Sequence, residues 1–232
     1  MVATTPSVAE RLWQELLELL FPAHCAACRR HGAWLCDACL ADVPGQGQLQ
    51  LVPWPHLAAG GLMGVYSLSP HAHPLREAVH ALKYGGVRVL APPLAALLAE
   101  GLAECPLWVD TLVPVPLHIA RIRQRGYNQS ELLARALGDE CALAVSCGDL
   151  VRHRPTRSQV GLSADQRQAN VDGAFACRPD AFAGERVLLI DDVLTTGATL
   201  TACATALRGA GAVEVWGLTL THAEHGLRRS RS

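Results

Sequence analysis

The sequence predicts an α/β fold: an open parallel sheet flanked by helices, with a small helical and cysteine-bearing appendage at its N-terminus. Three observations predict it. Val187, Leu188, Leu189 and Ile190 form an apolar run bounded by charge, the pattern of a strand buried on both faces. Strand-like stretches at 64–68, 111–116, 143–151 and 213–220 are interleaved with helical ones at 75–83, 93–102, 130–137 and 200–207. The chain has 232 residues, 50% apolar and only 18% charged, which is room for one such domain with a sizeable core plus the appendage.

The buried run ends on two adjacent carboxylates, Asp191 and Asp192, followed by Val193, Leu194, Thr195, Thr196, Gly197, Ala198 and Thr199. A hydroxyl- and glycine-bearing turn before a helix is an anion site, because the unpaired N–H groups and the dipole of the first turn point at the ligand. In an open parallel sheet such residues lie at the carboxyl ends of the strands, where ligands bind. A bare Asp-Asp before a Thr-rich cap would be ordinary helix capping. Four apolar residues, two acids and Thr-Thr-Gly-x-Thr in one register point instead to a sugar phosphate, with carboxylates accepting from ribose hydroxyls and the turn holding phosphate.

Whole-chain properties exclude several classes. The net charge is −1, which gives no whole-molecule case for nucleic-acid binding and leaves only local basic patches. No apolar run approaches the roughly 20 residues of a membrane span. No basic region followed by an apolar core and a cleavage site opens the chain, so a cytoplasmic location is expected. Nine cysteines fall into two sets: Cys25, Cys28, Cys36 and Cys39 in two C-x-x-C pairs, and Cys105, Cys141, Cys147, Cys177 and Cys203 scattered. The odd count and the scatter argue against a disulfide framework, and the singles read as small buried hydrophobes.

From the N-terminus, Val8, Leu12, Leu16, Leu19 and Leu20 recur at helical spacing, with Ser7 as N-cap and Glu10 completing a capping box. This predicts an amphipathic packing helix over 7–20 rather than a membrane-surface helix, since its polar face carries too few basic residues. The two cysteine pairs can close a tetrahedral thiolate site for a structural zinc, and a segment this small lacks the core to fold unaided. A thioredoxin-like motif would need a single pair at a helix start. His24 and His31 then read as surface residues. The predicted organisation is a helix and zinc module over 1–50, a linker over 51–60, the α/β domain over 61–225 and a basic tail over 226–232.

Residues 117–129 read as a cationic loop: Arg121, Arg123 and Arg125 alternate ahead of Gly126, Tyr127, Asn128 and Gln129. That pattern suits pyrophosphate, although a solvated basic loop is the ordinary meaning of such a run. A third polar and basic stretch contains Arg152, Arg154, Arg157, Gln159, Arg167 and Asn170. An excursion of that length inside a compact domain is a functional lid or a disordered segment.

These pieces, in this order, resemble the ComF family of competence-associated proteins, which is built on the type I phosphoribosyltransferase fold. The resemblance rests on the apolar helix into Phe21-Pro22, the cysteine pairs, Leu82-Lys83-Tyr84-Gly85, Val113-Pro114-Val115-Pro116-Leu117, and Arg125 to Gln129. It continues through Arg157-Ser158-Gln159, Arg167 with Asn170, and the segment from Asp191 to Thr199. It implies that Asp191 and Asp192 contact the ribose of phosphoribosyl pyrophosphate (PRPP) and that residues 195–199 hold its 5′-phosphate. It implies that Arg121, Arg125, Gly126, Asn128 and Gln129 face pyrophosphate, and that residues 154–170 form a mobile hood, with Arg157 at the reacting sugar beside the two acids. It implies Mg²⁺ held mainly by the ligand's own oxygens, together with the structural zinc. For function it implies DNA uptake, with single-stranded DNA and a helicase-like ATPase as partners; transfer of phosphoribose to a base or amine is the alternative. Trp34, Tyr84 and Tyr127 are the aromatics available to stack bases. No residue marks a nucleobase pocket or an obvious general base.

Overall fold

A computed structural model of the chain describes residues 23–45, 48–53, 60–154, 171 and 173–223. The helix expected over 7–20, the basic tail and, within the hood, Arg157, Gln159, Arg167 and Asn170 lie outside the described residues.

The centre is a sheet of six strands: β1 (Gln50–Leu51), β2 (Val65–Pro70), β3 (Thr111–Pro114), β4 (Ala144–Val145), β7 (Arg186–Leu194) and β8 (Glu214–His222), in the order β1-β2-β8-β7-β3-β4. All pairs are parallel except β1 with β2, so one short antiparallel strand, at the junction of the expected module and linker, covers that edge. The apolar run of β7 splits by parity, as a strand with period two must. Leu188 and Ile190 join Leu112, Leu218 and Leu220 against α2 (Leu75–Tyr84), α3 (Ala91–Ala103) and α5 (Gln129–Cys141). Val187 and Leu189 join Val113 and Val215 against α6 (Ala198–Gly209). Helices on both faces explain why the strand reads as continuous rather than alternating hydrophobicity.

The cysteine segment carries the short α1 (Asp37–Ala41), and its buried Cys25, Leu35, Cys39 and Val43 belong to the same apolar cluster as Leu75, Val79 and Leu82 of α2. The core on that face therefore runs from the sheet through α2 into the cysteine segment.

Three local expectations change. Residues 143–151 do not form one strand: β4 belongs to the main sheet, while β5 (Leu150–Arg152) pairs antiparallel with β6 (Phe175–Cys177). Between them Gly148 takes φ +111 and Ser146 Oγ donates to Asp149 Oδ2 at 2.5 Å, a turn that breaks the run. The basic loop contains a helix, α4 (Ile119–Arg125). His118 Nδ1 accepts from the Ala120 N–H at its start, and Gly126 closes it in the left-handed conformation that glycine adopts without penalty. Of the five single cysteines only Cys203 is buried; Cys105, Cys141, Cys147 and Cys177 sit half-exposed at element ends.

Candidate functional site

At the carboxyl ends of β3, β7 and β8 a cavity of about 550 Å³ opens between α2, α4 and the N-terminus of α6. Asp191 and Asp192 form its floor; Val193, Leu194, Thr195, Gly197 and Thr199 line one wall, and Arg121, Arg125 and Gln129 another. Thr196 and Ala198 belong to the same turn but do not line the cavity, and Ala198 packs into the core as the first residue of α6. Gly197 caps α6 at φ +73, a conformation that strains any residue with a Cβ, so the chain can turn tightly there and leave the first N–H groups of a twelve-residue helix facing the cavity.

The helical form of α4 changes which arginines matter. In an extended loop, alternate residues share a side; in a helix, Arg121 and Arg125 share a face and Arg123 points away. Arg121 and Arg125 accordingly line the cavity, and Arg123 is exposed. Arg125 donates to Gln129 Oε1, and its guanidinium lies 5.1 Å from the centre of the Tyr84 ring. Gly126 is the helix stop. Asn128 is buried and caps α5, accepting from the Ser130 N–H at 3.1 Å and donating to the Val115 carbonyl at 3.0 Å. Gly126 and Asn128 thus position the cationic wall without lining the cavity.

Two residues at the acids escaped the sequence reading. Lys83, in the last turn of α2, places Nζ 2.9 Å from Asp192 Oδ1, and Asp192 is only 2% exposed. Ser130 Oγ donates to Asp191 Oδ1 at 2.9 Å, and the same oxygen accepts the Asp192 N–H at 2.9 Å. Burial and the neighbouring Asp192 push the Asp191 carboxyl up to about 7, against the opposing pull of Lys83 and Ser130. Burial opposes the charge on Lys83, but the two carboxylates outweigh it and hold the ammonium above its usual range. Asp192 Oδ2 is buried without a hydrogen-bond partner, so the acids retain unmet acceptor capacity. Behind them His71 Nδ1 and Thr221 Oγ1 are 2.8 Å apart, and burial, then Lys83, depress the imidazole. Arg152, at the end of β5, also reaches the cavity. Arg154 lies two residues beyond, exposed and outside the cavity wall.

The second centre is the cysteine knuckle. The four sulfurs lie within 4.8 Å of one another, with Cys25 and Cys39 at 3.7 Å and Cys28 and Cys36 at 3.6 Å. Four sulfurs about 2.3 Å from a central zinc stand roughly 3.8 Å apart at tetrahedral corners, whereas a disulfide needs about 2.05 Å. Burial raises the Cys25 thiol, but N–H groups of Cys28, Cys36 and Ala27 bring it down to about 6, while burial and the neighbouring sulfurs push the Cys39 thiol up. The donor set fits structural zinc, and the rings of His24 and His31 pack tilted against each other, 4.1 Å between centres, without entering the cluster.

The phosphoribosyl transferase domain family matches residues 78–231. Across the longer span, the chain is 33% identical over 199 residues to the DNA utilization protein YhgH of Salmonella typhi, covering 82% of this chain and 80% of that one. It is 39% identical over 113 residues to competence protein F of Haemophilus influenzae, covering 47% of this chain and 49% of that one. The chain belongs to the ComF family. Among solved structures, adenine phosphoribosyl transferase from Trypanosoma brucei aligns with this ComF chain at 13% identity and a TM-score of 0.42, over 76% of this chain and 87% of that one. The PRPP amidotransferase of B. subtilis aligns at 21% identity and a TM-score of 0.37, over 61% of this chain and 26% of that one, so the ComF chain spans about a quarter of its length. Among the described residues no helix is long and apolar enough to cross a membrane.

One expected stacking residue of the ComF chain is excluded. Tyr127 is 8% exposed, its hydroxyl donates to the Leu82 carbonyl, and Arg88 covers its ring at 4.5 Å, so no base can reach that face. Trp34 and Tyr84, at 39% and 69% exposure, remain accessible.

Proposed function

We propose that this chain binds PRPP with magnesium and acts in DNA uptake by handling single-stranded DNA. The observation that carries the first half is the cavity in which a buried and a partly buried acid, a glycine-capped helix N-terminus and two arginines of one helix face converge. Ribose hydroxyls donate to Asp191 and Asp192, whose acceptor capacity Lys83 and Ser130 only partly fill. The 5′-phosphate accepts from the N–H groups at the start of α6 and from Thr195 and Thr199. Arg121 and Arg125 face the pyrophosphate, where charge-assisted bonds are strongest.

Asp192 Oδ1 faces the Lys83 ammonium and Asp191 Oδ1 accepts from Ser130, and the one metal-ligand cluster among the described residues is the cysteine set. This donor chemistry fits a magnesium held by the ligand's own oxygens, where it would neutralise charge on pyrophosphate. The cysteines would hold zinc as a structural ion. DNA uptake is supported by the relatives, a DNA utilization protein and competence protein F. A cytoplasmic site of action and a helicase-like partner belong to the same proposal.

Transfer of phosphoribose to a base or amine is the second reading, favoured by acids and arginines lining one cavity. Its chemistry needs stabilisation of departing pyrophosphate and a nucleophile brought by the acceptor.

The test is thermal unfolding with and without Mg²⁺-PRPP, on wild type and on Asp191→Asn/Asp192→Asn. Ligand at about 100 times Kd stabilises by roughly 2.7 kcal/mol, which raises Tm by about 5–10 °C in a chain of this size. The rise is expected in wild type and lost in the double variant; no rise in wild type rejects the sugar-phosphate site. Pyrophosphate release with an acceptor decides for the transferase. Steeply salt-dependent binding of single strands supports the DNA role, and salt-insensitive binding rejects it.

A further inference from the structure

Between the cysteine knuckle and α2 runs a second depression, of about 1060 Å³, just above the roughly 300–1,000 Å³ of small-molecule sites. Its walls include Arg29 and Trp34 from the knuckle and Arg76, His80 and Tyr84 from α2. Arg76, His80 and Tyr84 also line the sugar-phosphate cavity, so the two spaces share one wall. Half-exposed and exposed aromatic rings beside cations are how sequence-tolerant proteins hold unstacked bases and the phosphates between them. Arg76 is engaged by Glu77 at 2.6 Å, which leaves Arg29 as the cation of this groove, while Arg125 covers the Tyr84 ring from the side of the phosphate cavity.

Resting on the single-strand reading above, we infer that this groove seats unstacked bases of a single DNA strand on Trp34 and Tyr84, and that Tyr84 couples the seat to the neighbouring phosphate site. The coupling has a physical route. Arg125 lies over the Tyr84 ring and also lines the sugar-phosphate cavity. A pyrophosphate group arriving there competes for the guanidinium, because a charge-assisted bond is stronger than a cation–π contact at an exposed ring. Drawing Arg125 inward uncovers the Tyr84 face for a base. By linkage, the strand then tightens PRPP by the same factor as PRPP tightens the strand.

The experiment uses the full, zinc-loaded chain and fluorescence anisotropy of a labelled short oligothymidylate at low salt, with and without Mg²⁺-PRPP. Trp34→Ala and Tyr84→Ala are each expected to weaken the oligonucleotide roughly tenfold, the order of one lost stacking contact, with Tyr84→Phe restoring binding. Trp108→Ala, which removes a 75% exposed ring outside both depressions, is expected to leave binding unchanged. Mg²⁺-PRPP is expected to tighten the strand several-fold in wild type and to have no such effect in Tyr84→Ala. Unchanged Tm and zinc content in the variants separate a lost contact from a lost fold. Wild type that binds strands while both alanine variants do so equally well overturns the groove and spares the single-strand reading. Wild type that binds no strand overturns that reading itself. Free thymidylate binding as tightly as the oligonucleotide overturns the strand as occupant, and Mg²⁺-PRPP displacing the strand overturns the coupling.

Discussion

The knuckle and the acid floor of the cavity are both clusters of groups that become anionic, and they resolve their charge in opposite ways. The knuckle gathers four thiols from a short segment into one cluster, a donor set whose demand is for a metal. The acid floor imports a cation from another element, Lys83 at 2.9 Å, and a hydroxyl donor, Ser130. Its remaining demand is for hydroxyl donors, which a ribose supplies. The same elementary cost, burying like charges, makes the knuckle fit for a metal and leaves the acid floor open, in the proposed reading, to a sugar.

The largest expected effect breaks the comparison at the knuckle. Chelation of zinc, or Cys36→Ser, is expected to cost about 3 kcal/mol or more, read as a fall in Tm together with loss of bound zinc. Because Cys25 and Leu35 share a core with Leu75 and Leu82 of α2, PRPP binding should weaken as well. An unchanged Tm would mean that the thiols pack as an ordinary core.

Next is Lys83→Met, which strands a buried carboxylate. The expected loss is about 3 kcal/mol in denaturant unfolding, with much of it recovered in Lys83→Met/Asp192→Asn, where no unpaired charge remains. Additive losses would show that the pair is merely adjacent.

A pH series sharpens the contrast further. Asp191 is raised to about 7 from 3.8, so between those values the folded chain holds a proton that the unfolded chain has released. Its contribution to stability is complete below about pH 4 and is lost as pH rises through 7. PRPP binding runs the other way, since ribose hydroxyls need the ionised acceptor. Kd for Mg²⁺-PRPP, measured by calorimetry, is expected to rise by up to about tenfold per unit as pH falls below 7. In Asp191→Asn only the titration of the ligand's own phosphates should remain.

The smallest effect is expected from Gly197→Ala, where φ +73 strains a side chain by about 1 kcal/mol, a Tm change of about 3 °C, with weaker phosphate binding and an intact knuckle.

What the sequence disclosed tracks how local each feature is. The acids, the Thr-Thr-Gly turn and the cysteine pairs are contiguous, and their spacing alone carries their chemistry. Lys83 and Ser130 meet those acids only through the sheet, and in sequence Lys83 looks like any cation in the last turn of a helix. The α4 helix had a signal that went unread: His118 before it and Gly126 after it bracket a helix too short for periodicity to declare. Spacing alone makes three arginines of a loop equivalent, and only the family resemblance singles out Arg121 and Arg125, whereas helix geometry separates Arg123 from the others. The groove beside Trp34 and Tyr84 has no sequence signature, since its walls come from separate elements.

Helix α2 is the strut common to all of this, with Lys83 at its end, Leu75 and Leu82 in the core beneath the knuckle, and Tyr84 on the wall between the two depressions. A genetic consequence follows. Loss-of-function alleles in the cysteines and in the acids should fall into one phenotypic class despite their separation, and second-site suppressors of weak knuckle alleles should map to the inward face of this helix.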